Sequence, residues 1–205
     1  MVRNYSKFTL EDLETRFQVR VKSEYGLFQH APAHPISDLL RQTLEEHALL
    51  ISSANTTKMR SELLVAPLLL DLWRQQQRQI GFFSGVEMDV EPETGLVGIC
   101  DFLLTHARQQ LFLTPPFLAV AQAKRDDLRA RVPQCVAMML AARLFSEREG
   151  SSLGTVYGVV TSGQRWAFLK LEGQIAHFDL QEHHIGKPDQ ILGILMEMAN
   201  DGAKD

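Results

Sequence analysis

The sequence predicts an α/β fold in which a central mixed β-sheet is flanked by helices. Two long segments, 58–73 and 132–148, carry apolar residues at helical spacing, and β-prone runs lie between and after them. The run 117–123 is almost continuously apolar, which is typical of a strand covered on both faces. Three further β-prone runs between 155 and 180, separated by turns that contain glycine, indicate a meander.

Composition limits the class of protein. The chain has 205 residues, of which 45% are hydrophobic and 22% charged, and this suits one domain with a sizeable core. Its formal net charge of −4 does not attract nucleic acid in general, so any such role must depend on a local basic face. The two cysteines, Cys100 and Cys135, form neither a disulfide framework nor a zinc motif. The polar N-terminus lacks a signal-peptide pattern and no long uncharged apolar stretch occurs, so we expect a cytoplasmic protein without a membrane segment.

Residues 1–56 are predicted to form a helical extension. Thr9 and Asp12 have the spacing of a capping box at the start of a short first helix. Residues 19–28 fit either a strand or an irregular crossing. After a proline-containing break, a second helix is expected to begin near residue 37.

Residues 57–172 are predicted to form the core. It opens with a helix that carries Glu62 and contains Pro67, which is expected to kink it. Alternating polar and apolar residues at 81–90 predict a strand, and the turn residues at 92–95 join it in a hairpin to the next strand, 96–104.

The third strand of the core is followed by a helix over 132–148, and the first two strands of the meander complete the core. Residues 173–205 are predicted to add a last strand and a closing helix from Pro188 to about Asn200. The whole chain is therefore predicted to be one domain with extensions at both ends.

Two of the apolar runs carry polar groups that an ordinary strand does not need. Asp101 lies on one of them, and Gln122 and Lys124 lie at the end of the next. Because side chains two apart on a strand point to the same face, Gln122 and Lys124 are expected to share a face. An aspartate on one strand beside this polar pair on the next would suit a divalent cation and a water.

Asp101 followed by Gln122-x-Lys124, with Glu62 on a preceding helix, resembles the PD-(D/E)XK nuclease superfamily. The resemblance covers about 57–172, and it implies the restriction-endonuclease-like fold, whose core order is helix, three strands, helix, strand. The chain departs from the family pattern at Gln122, where Asp or Glu is usual, although members with Gln exist. One negative charge fewer implies weaker metal affinity.

The resemblance also implies residue roles. Asp101 and the side-chain oxygen of Gln122 would bind Mg²⁺ (or Mn²⁺), with the Ala123 carbonyl beside them, and Glu62 would reach the metal through water or complete a second position. Lys124 would orient the attacking water or stabilise charge that develops on the phosphate. The metal would neutralise phosphate charge and lower the pKa of a bound water.

Substrate contacts are expected just after this motif. Gln134, early on the following helix, resembles a glutamine that many family members place near the site. Arg125, Arg129 and Arg131 could contact phosphates, or form a solvated surface whose field the neighbouring aspartates partly cancel.

A structural interpretation of the same residues stays open. Asp101 and Lys124 could form an ion pair between adjacent strands, with Gln122 a satisfied polar group and Glu62 a solvated helix carboxylate. His183 and His184 are adjacent and are expected to be an exposed loop pair.

The function implied by the resemblance is metal-dependent hydrolysis of nucleic-acid phosphodiester bonds, with DNA as the expected substrate and RNA left open. The alternative is a catalytically inactive module of the same fold that binds or scaffolds through a protein partner. A homodimer would supply two sites for the two strands of duplex DNA.

Overall fold

The computed structural model describes residues 4–53, 56–107, 111–122, 127–150 and 154–201. They form an α/β fold with a mixed eight-stranded sheet and helices on both faces, which confirms the predicted fold class. The helices are α1 (Leu10–Phe17), α2 (Asp38–Ser53), α3 (Thr57–Arg60), α4 (Ala66–Gln75), α5 (Val132–Arg148) and α6 (Pro188–Asp201). The strands are β1 (Arg20–Glu24), β2 (Gly81–Glu87), β3 (Ile99–Thr105), β4 (Pro116–Gln122), β5 (Thr155–Thr161), β6 (Arg165–Glu172), β7 (Ile175–Asp179) and β8 (His183–His184). Across these ranges, no helix has both the length and the apolar character that crossing a membrane requires.

The sheet has the strand order β1-β7-β6-β5-β4-β3-β2, and β8 pairs with β6 outside this path. The pairs β1–β7 and β4–β5 are parallel, and the other pairs are antiparallel. From α3 to β5 the chain runs helix, three strands, helix, strand, which confirms the predicted core order. Strands β5, β6 and β7 form the predicted meander.

Two core clusters lie on opposite faces of the sheet. The α5-side cluster packs α5 and the N-terminal helix against the strands, and its strand members include Cys100, Leu103, Ala119 and Val160. The α4-side cluster packs α2, α4 and α6 against the other face, and its strand members include Phe102, Leu104, Leu118, Val120 and Phe168. Because both faces are covered, the central strands are apolar almost throughout.

The predicted capping box starts α1. The Asp12 N–H donates to Thr9 Oγ1 at 3.1 Å, and the Thr9 N–H donates to Asp12 Oδ2 at 3.0 Å. These two bonds satisfy N–H groups that the first turn of a helix leaves without partners.

The N-terminal extension is not purely helical, because residues 20–24 form strand β1 at the edge of the sheet. The strand is followed by a turn that the buried Asp179 holds. Its Oδ1 accepts the Gly26 N–H at 2.9 Å and its Oδ2 accepts the Phe28 N–H at 3.4 Å. Residues 20–24 are therefore a strand and residues 26–28 an irregular turn. Both features depend on contacts with β7, which lies far away in the chain.

Pro67 does not end the helix that contains it. A π-helical segment, Ser61–Val65, precedes α4, and Pro67 lies in the first turn of α4. Proline has no N–H with which to bond the carbonyl four residues back, which is that of Leu63. His47 Nδ1 donates to this carbonyl at 2.8 Å, so α2 supplies the bond that the helix itself cannot make.

The hairpin between β2 and β3 forms as predicted, but β3 begins at Ile99 rather than at residue 96. Glu91 and Leu96 form an isolated bridge that closes the turn. Gly98, between the bridge and β3, has a φ of +133°, a value that interrupts a regular strand.

Candidate functional site

Asp101 lies on β3 at an irregular point of the β2–β3 ladder. The ladder pairs Ser84 with Phe102 and Val86 with Cys100, but no pair is formed at the position between them. Gly85, on the β2 side of this gap, has a φ of +62°, which few residues other than glycine adopt. Asp101 is half-buried there. The register is the same on both sides of this gap, so neither strand carries an extra residue.

The strand changes face at Asp101. Cys100 packs in the α5-side cluster, whereas Phe102, two residues later, packs in the α4-side cluster. In a regular strand these two side chains would point to the same face. Alternation counted from Cys100 assigns Asp101 to the α4-side face, whereas alternation counted from Phe102 assigns it to the α5-side face, with Leu103.

Strand β4 ends beside this point. It pairs with β3 through Phe102 and Val120, and it continues to Gln122, whose backbone is in register with Thr161 at the end of the parallel strand β5. The ends of β4 and β5 therefore meet at one edge of the sheet. The other predicted site residues here lie outside the described residues: the side chain of Gln122, and all of Ala123, Lys124 and Arg125.

The turn between β5 and β6 brings the helix that carries Glu62 to this edge. The Gly163 N–H donates to Thr161 Oγ1 at 2.9 Å, and Trp166 Nε1 donates to the Gly163 carbonyl at 3.0 Å. Gly163 has a φ of +87°, and a Cβ there would lie 2.9 Å from Cβ of Arg60 and 3.4 Å from Cδ1 of Leu64. Residues 60–64 therefore pack directly on the turn, and Arg60 is buried, with 5% of its surface exposed.

Glu62 lies in the π-helical segment and points largely to solvent. Its side chain is 57% exposed, and its Oε1 is 2.7 Å from Nζ of Lys58, one turn earlier. Glu62 therefore belongs to the helical segment that packs on this edge of the sheet. Among the described residues, however, its carboxylate forms an ion pair with Lys58 and is not part of a cluster of metal-ligating side chains. Its proposed role at a metal stays a prediction.

The predicted substrate contacts lie around the start of α5. Arg129 is exposed in a short 3₁₀ helix, Arg129–Arg131. Arg131 Nη1 donates to Gln134 Oε1 at 2.8 Å, so the Gln134 amide oxygen is already bonded and its nitrogen is the group left for a ligand. Asp127 Oδ1 accepts the Ala130 N–H at 3.1 Å, so this aspartate caps the 3₁₀ helix.

The cysteine beside Asp101 has no nucleophilic role. Cys100 is fully buried, and burial raises the pKa of its thiol, as does the neighbouring charge of Asp101. The thiol is therefore protonated at neutral pH, whereas a nucleophile or a metal ligand would be a thiolate. Cys100 is a core residue.

Metal ligands from His, Cys, Asp and Glu do not gather in threes anywhere in the part of the chain that the structure describes. The adjacent histidines form strand β8 rather than the expected loop, where His183 is half-buried and His184 is exposed. Burial lowers the pKa of His183, against a smaller opposing effect of Asp179.

Sequence reasoning missed two features of this edge. The burial of Arg60 comes from the distant β5–β6 turn, and no local pattern indicates it. The missing ladder pair at Gly85 was weakly indicated by the sequence, because an isolated glycine inside a strand pattern suggests a local irregularity of the strand.

Comparison with solved structures finds a similar chain in the cryo-EM structure of a DrdV–DNA complex, with 11% sequence identity and a TM-score of 0.47. The match covers 80% of this chain and 14% of that chain, so this chain spans a small part of its length. Neither a protein-family model nor a curated protein matches the sequence.

Proposed function

We propose that the chain is a metal-dependent nuclease-like protein that hydrolyses nucleic-acid phosphodiester bonds, with DNA as the expected substrate. The observation that supports this proposal is the position of Asp101. Its half-buried carboxylate lies on β3, the strand next to β4, where the ladder pair with Gly85 is missing. The surrounding core has the order helix, three strands, helix, strand.

The donors fit Mg²⁺ or Mn²⁺ in chemical kind. Asp101 offers a carboxylate oxygen, and the sequence predicts an amide oxygen from Gln122 and a carbonyl oxygen from Ala123 beside it. Such hard oxygen ligands are the ones that Mg²⁺ takes, while it keeps several waters. When bound, the ion would neutralise phosphate charge and lower the pKa of a water.

The remaining roles belong to side chains of this chain. Lys124 would donate to the phosphate or to the attacking water and stabilise the negative charge that develops there. Arg129 is exposed and follows the end of β4 by a few residues in the sequence. It would contact a flanking phosphate and so position the nucleic-acid strand. Neither residue would need to gain or lose a proton.

The test compares cleavage of labelled linear, circular and single-stranded DNA, and of RNA, with Mg²⁺ or Mn²⁺. Asp101→Asn keeps the size of the side chain and removes the charge. We expect it to lower cleavage by at least about 100-fold, because even changes around a metal ligand cost about 10- to 100-fold. Glu93→Gln, an exposed change in the β2–β3 turn, is the matched control and should cleave like the native chain.

Metal binding gives a second readout that does not depend on turnover. An ion that binds only the folded state stabilises it by about 2.7 kcal/mol at 100 times its dissociation constant, so Mg²⁺ should raise the melting temperature of the native chain and not that of Asp101→Asn. A folded native chain that cleaves none of these substrates and shows no metal-dependent shift would contradict the proposal.

A catalytically inactive module of the same fold, which binds a protein partner, is the second candidate. The observation that favours it is Glu62, whose carboxylate is exposed and paired with Lys58 at 2.7 Å. An amide at position 122 favours it too, because it removes one of the negative charges that the usual family pattern offers to a metal. This candidate predicts no metal-dependent stabilisation at any Mg²⁺ or Mn²⁺ concentration.

A further inference from the structure

A groove of about 600 Å³ opens between α2, strand β8 and the π-helical segment. Its base is apolar, with Ile36, Ile51 and Leu64 buried and Leu44 and Ile185 half-buried. This volume lies within the range of about 300–1,000 Å³ that is typical of ligand sites. No role predicted from the sequence uses these residues.

Polar side chains surround the mouth of the groove. Arg41, Glu45 and Gln164 make no side-chain hydrogen bond or ion pair with any residue that the structure describes. His184 Nδ1 accepts the Gly186 N–H at 3.0 Å, so the neutral ring carries its proton on Nε2 and offers it as a donor. The mouth therefore combines donors and acceptors that are not used by the part of the chain that the structure describes.

The pattern of these groups indicates a class of ligand. Arg41 and Glu45 cancel in charge, so the mouth has no net positive charge to bind a phosphate, and the Glu45 carboxylate would repel one. A purely apolar ligand would leave the polar groups without partners as it displaced their water. A nucleobase matches both the apolar base and the polar mouth of the groove, since it has two apolar ring faces and an edge of donors and acceptors.

The groove lies beside the edge of the sheet where we place the candidate site. Leu64 belongs to the π-helical segment that carries Glu62, and Gln164 follows Gly163 in the β5–β6 turn. The same turn begins after Thr161, which is in register with Gln122. A strand whose phosphate reached the end of β4 would have its neighbouring nucleotide near this groove.

We infer that the groove takes one unpaired nucleobase of the substrate strand. The inference rests on the proposed nuclease function, and it narrows the substrate to nucleic acid with an unpaired nucleotide near the cleaved bond, such as a single strand, a flap or a frayed end. A base inside a duplex is stacked and paired, so it could not enter the groove without being extruded.

The test measures binding separately from cleavage. Fluorescence anisotropy with EDTA present compares a labelled single-stranded oligothymidylate with an abasic strand of the same length and phosphate number. We expect the native chain to bind the strand with bases at least about tenfold more tightly, since contact with one base contributes a factor of this order or more. The abasic strand controls for phosphate contacts.

Two tryptophan variants on α2 locate the effect. Ala48 is exposed and lines the groove, so Ala48→Trp should fill it and bring the ratio of the two affinities close to one. Glu46→Trp adds the same indole at an exposed position of α2 that does not line the groove, and it should keep the native ratio. Gln164→Ala removes an amide from the mouth of the groove and should also reduce the ratio of the two affinities. It alters the shape of the groove less than Ala48→Trp does. Thermal melting confirms that each variant is folded.

The outcomes separate the groove from the nuclease. Equal binding of the two strands by the native chain, or a ratio that Ala48→Trp leaves unchanged, overturns the nucleobase site even if the chain cleaves DNA. A ratio that Ala48→Trp abolishes and Glu46→Trp retains supports the site even if no cleavage is found, and the proposed catalytic activity then fails alone. Binding of neither strand, with no cleavage, overturns both.

Discussion

The two faces of the sheet are covered in different ways. On one face α5 packs closely on β4 and β5. A Cβ added at Gly158 of β5 would lie 2.5 Å from Sδ of Met139 and 2.8 Å from Sγ of Cys135. Cys135 Sγ also lies 3.6 Å from the Val159 carbonyl oxygen. This face is held together mainly by apolar packing at short range.

On the opposite face, polar bonds join α2 and the residues just before it to the segment 61–75. His47 Nδ1 donates to the Leu63 carbonyl at 2.8 Å, and Ser37 Oγ donates to Oδ1 of the buried Asp71 at 2.5 Å. Gln75 Nε2 donates to the Pro35 carbonyl at 3.1 Å. Helices joined in this way need not fill all the space between them, and here they leave a groove of about 600 Å³.

This difference indicates which face supports function. A close-packed helix leaves no volume for a ligand, whereas helices held at a distance by directed bonds leave room for one. The π-helical segment and the groove belong to the α4-side face or its edge. We therefore expect changes where α5 packs on β4 and β5 to affect mainly stability, and changes on the α4 side to affect binding as well.

The largest effect is expected from Gly158→Val, which adds a branched side chain where α5 touches β5. Overpacking of a filled core typically costs about 1–3 kcal/mol, and we expect the upper end because two sulfur-bearing side chains and Leu169, whose Cβ would lie 3.3 Å away, would all have to move. Chemical denaturation measures the change in the free energy of unfolding. Gly154→Ala, at a position with nothing within 4 Å of an added Cβ, is the control and should change stability by less than about 0.5 kcal/mol. Similar losses in both variants would contradict the close packing of this face.

The next effect tests the polar bonds of the opposite face. His47→Ala should cost about 1 kcal/mol, because it removes the donor to a carbonyl that Pro67 cannot serve. In a Pro67→Ala background the alanine supplies an N–H to the same carbonyl, so we expect the cost of His47→Ala to fall. A double-mutant cycle on the free energy of unfolding measures this coupling. Additive effects of the two changes would show that His47 does not replace the missing backbone bond.

Acid should weaken the α4-side face first. The His106 ring stacks on Phe117 with centroids 4.2 Å apart, and burial lowers its pKa. Its folded pKa is then below the unfolded value of about 6.5, so the unfolded state binds more protons and stability falls as pH drops below that value. His106→Phe keeps an aromatic ring on Phe117 and removes the proton. Its free energy of unfolding, measured from about pH 7 to about pH 5, should fall less than that of the native chain. An identical fall in both would contradict this source of acid sensitivity.

Local patterns in the sequence predicted most of the fold. The bounds of α5 agree with the prediction because Pro133 is tolerated in the first turn and Gly150 follows its end. The meander was equally clear, since glycine turns separate its strands. In each case the deciding residues are neighbours in the chain.

The candidate site could be predicted only as a set of residue types. The order of Glu62, Asp101 and Gln122 along helix and strands is visible in the sequence, but the missing ladder pair between Gly85 and Asp101 depends on how two strands meet. The groove depends on a bond between His47 and a carbonyl 16 residues away. Such features arise from long-range contacts, which a periodic pattern does not encode.

The smallest effect on stability is expected from changes at Glu62. These changes also test whether the helical segment on the α4 side contributes to the metal site. The exposed ion pair of Glu62 with Lys58 contributes little, so Glu62→Gln and Lys58→Ala should each change the free energy of unfolding by about 0.5 kcal/mol or less. Their effects on metal-dependent cleavage should differ. If the carboxylate acts at the metal, Glu62→Gln lowers cleavage, whereas Lys58→Ala frees the carboxylate and does not. Equal cleavage by both variants, in a chain that needs Asp101, would mean that Glu62 is a surface carboxylate and that the metal is held from the strands alone.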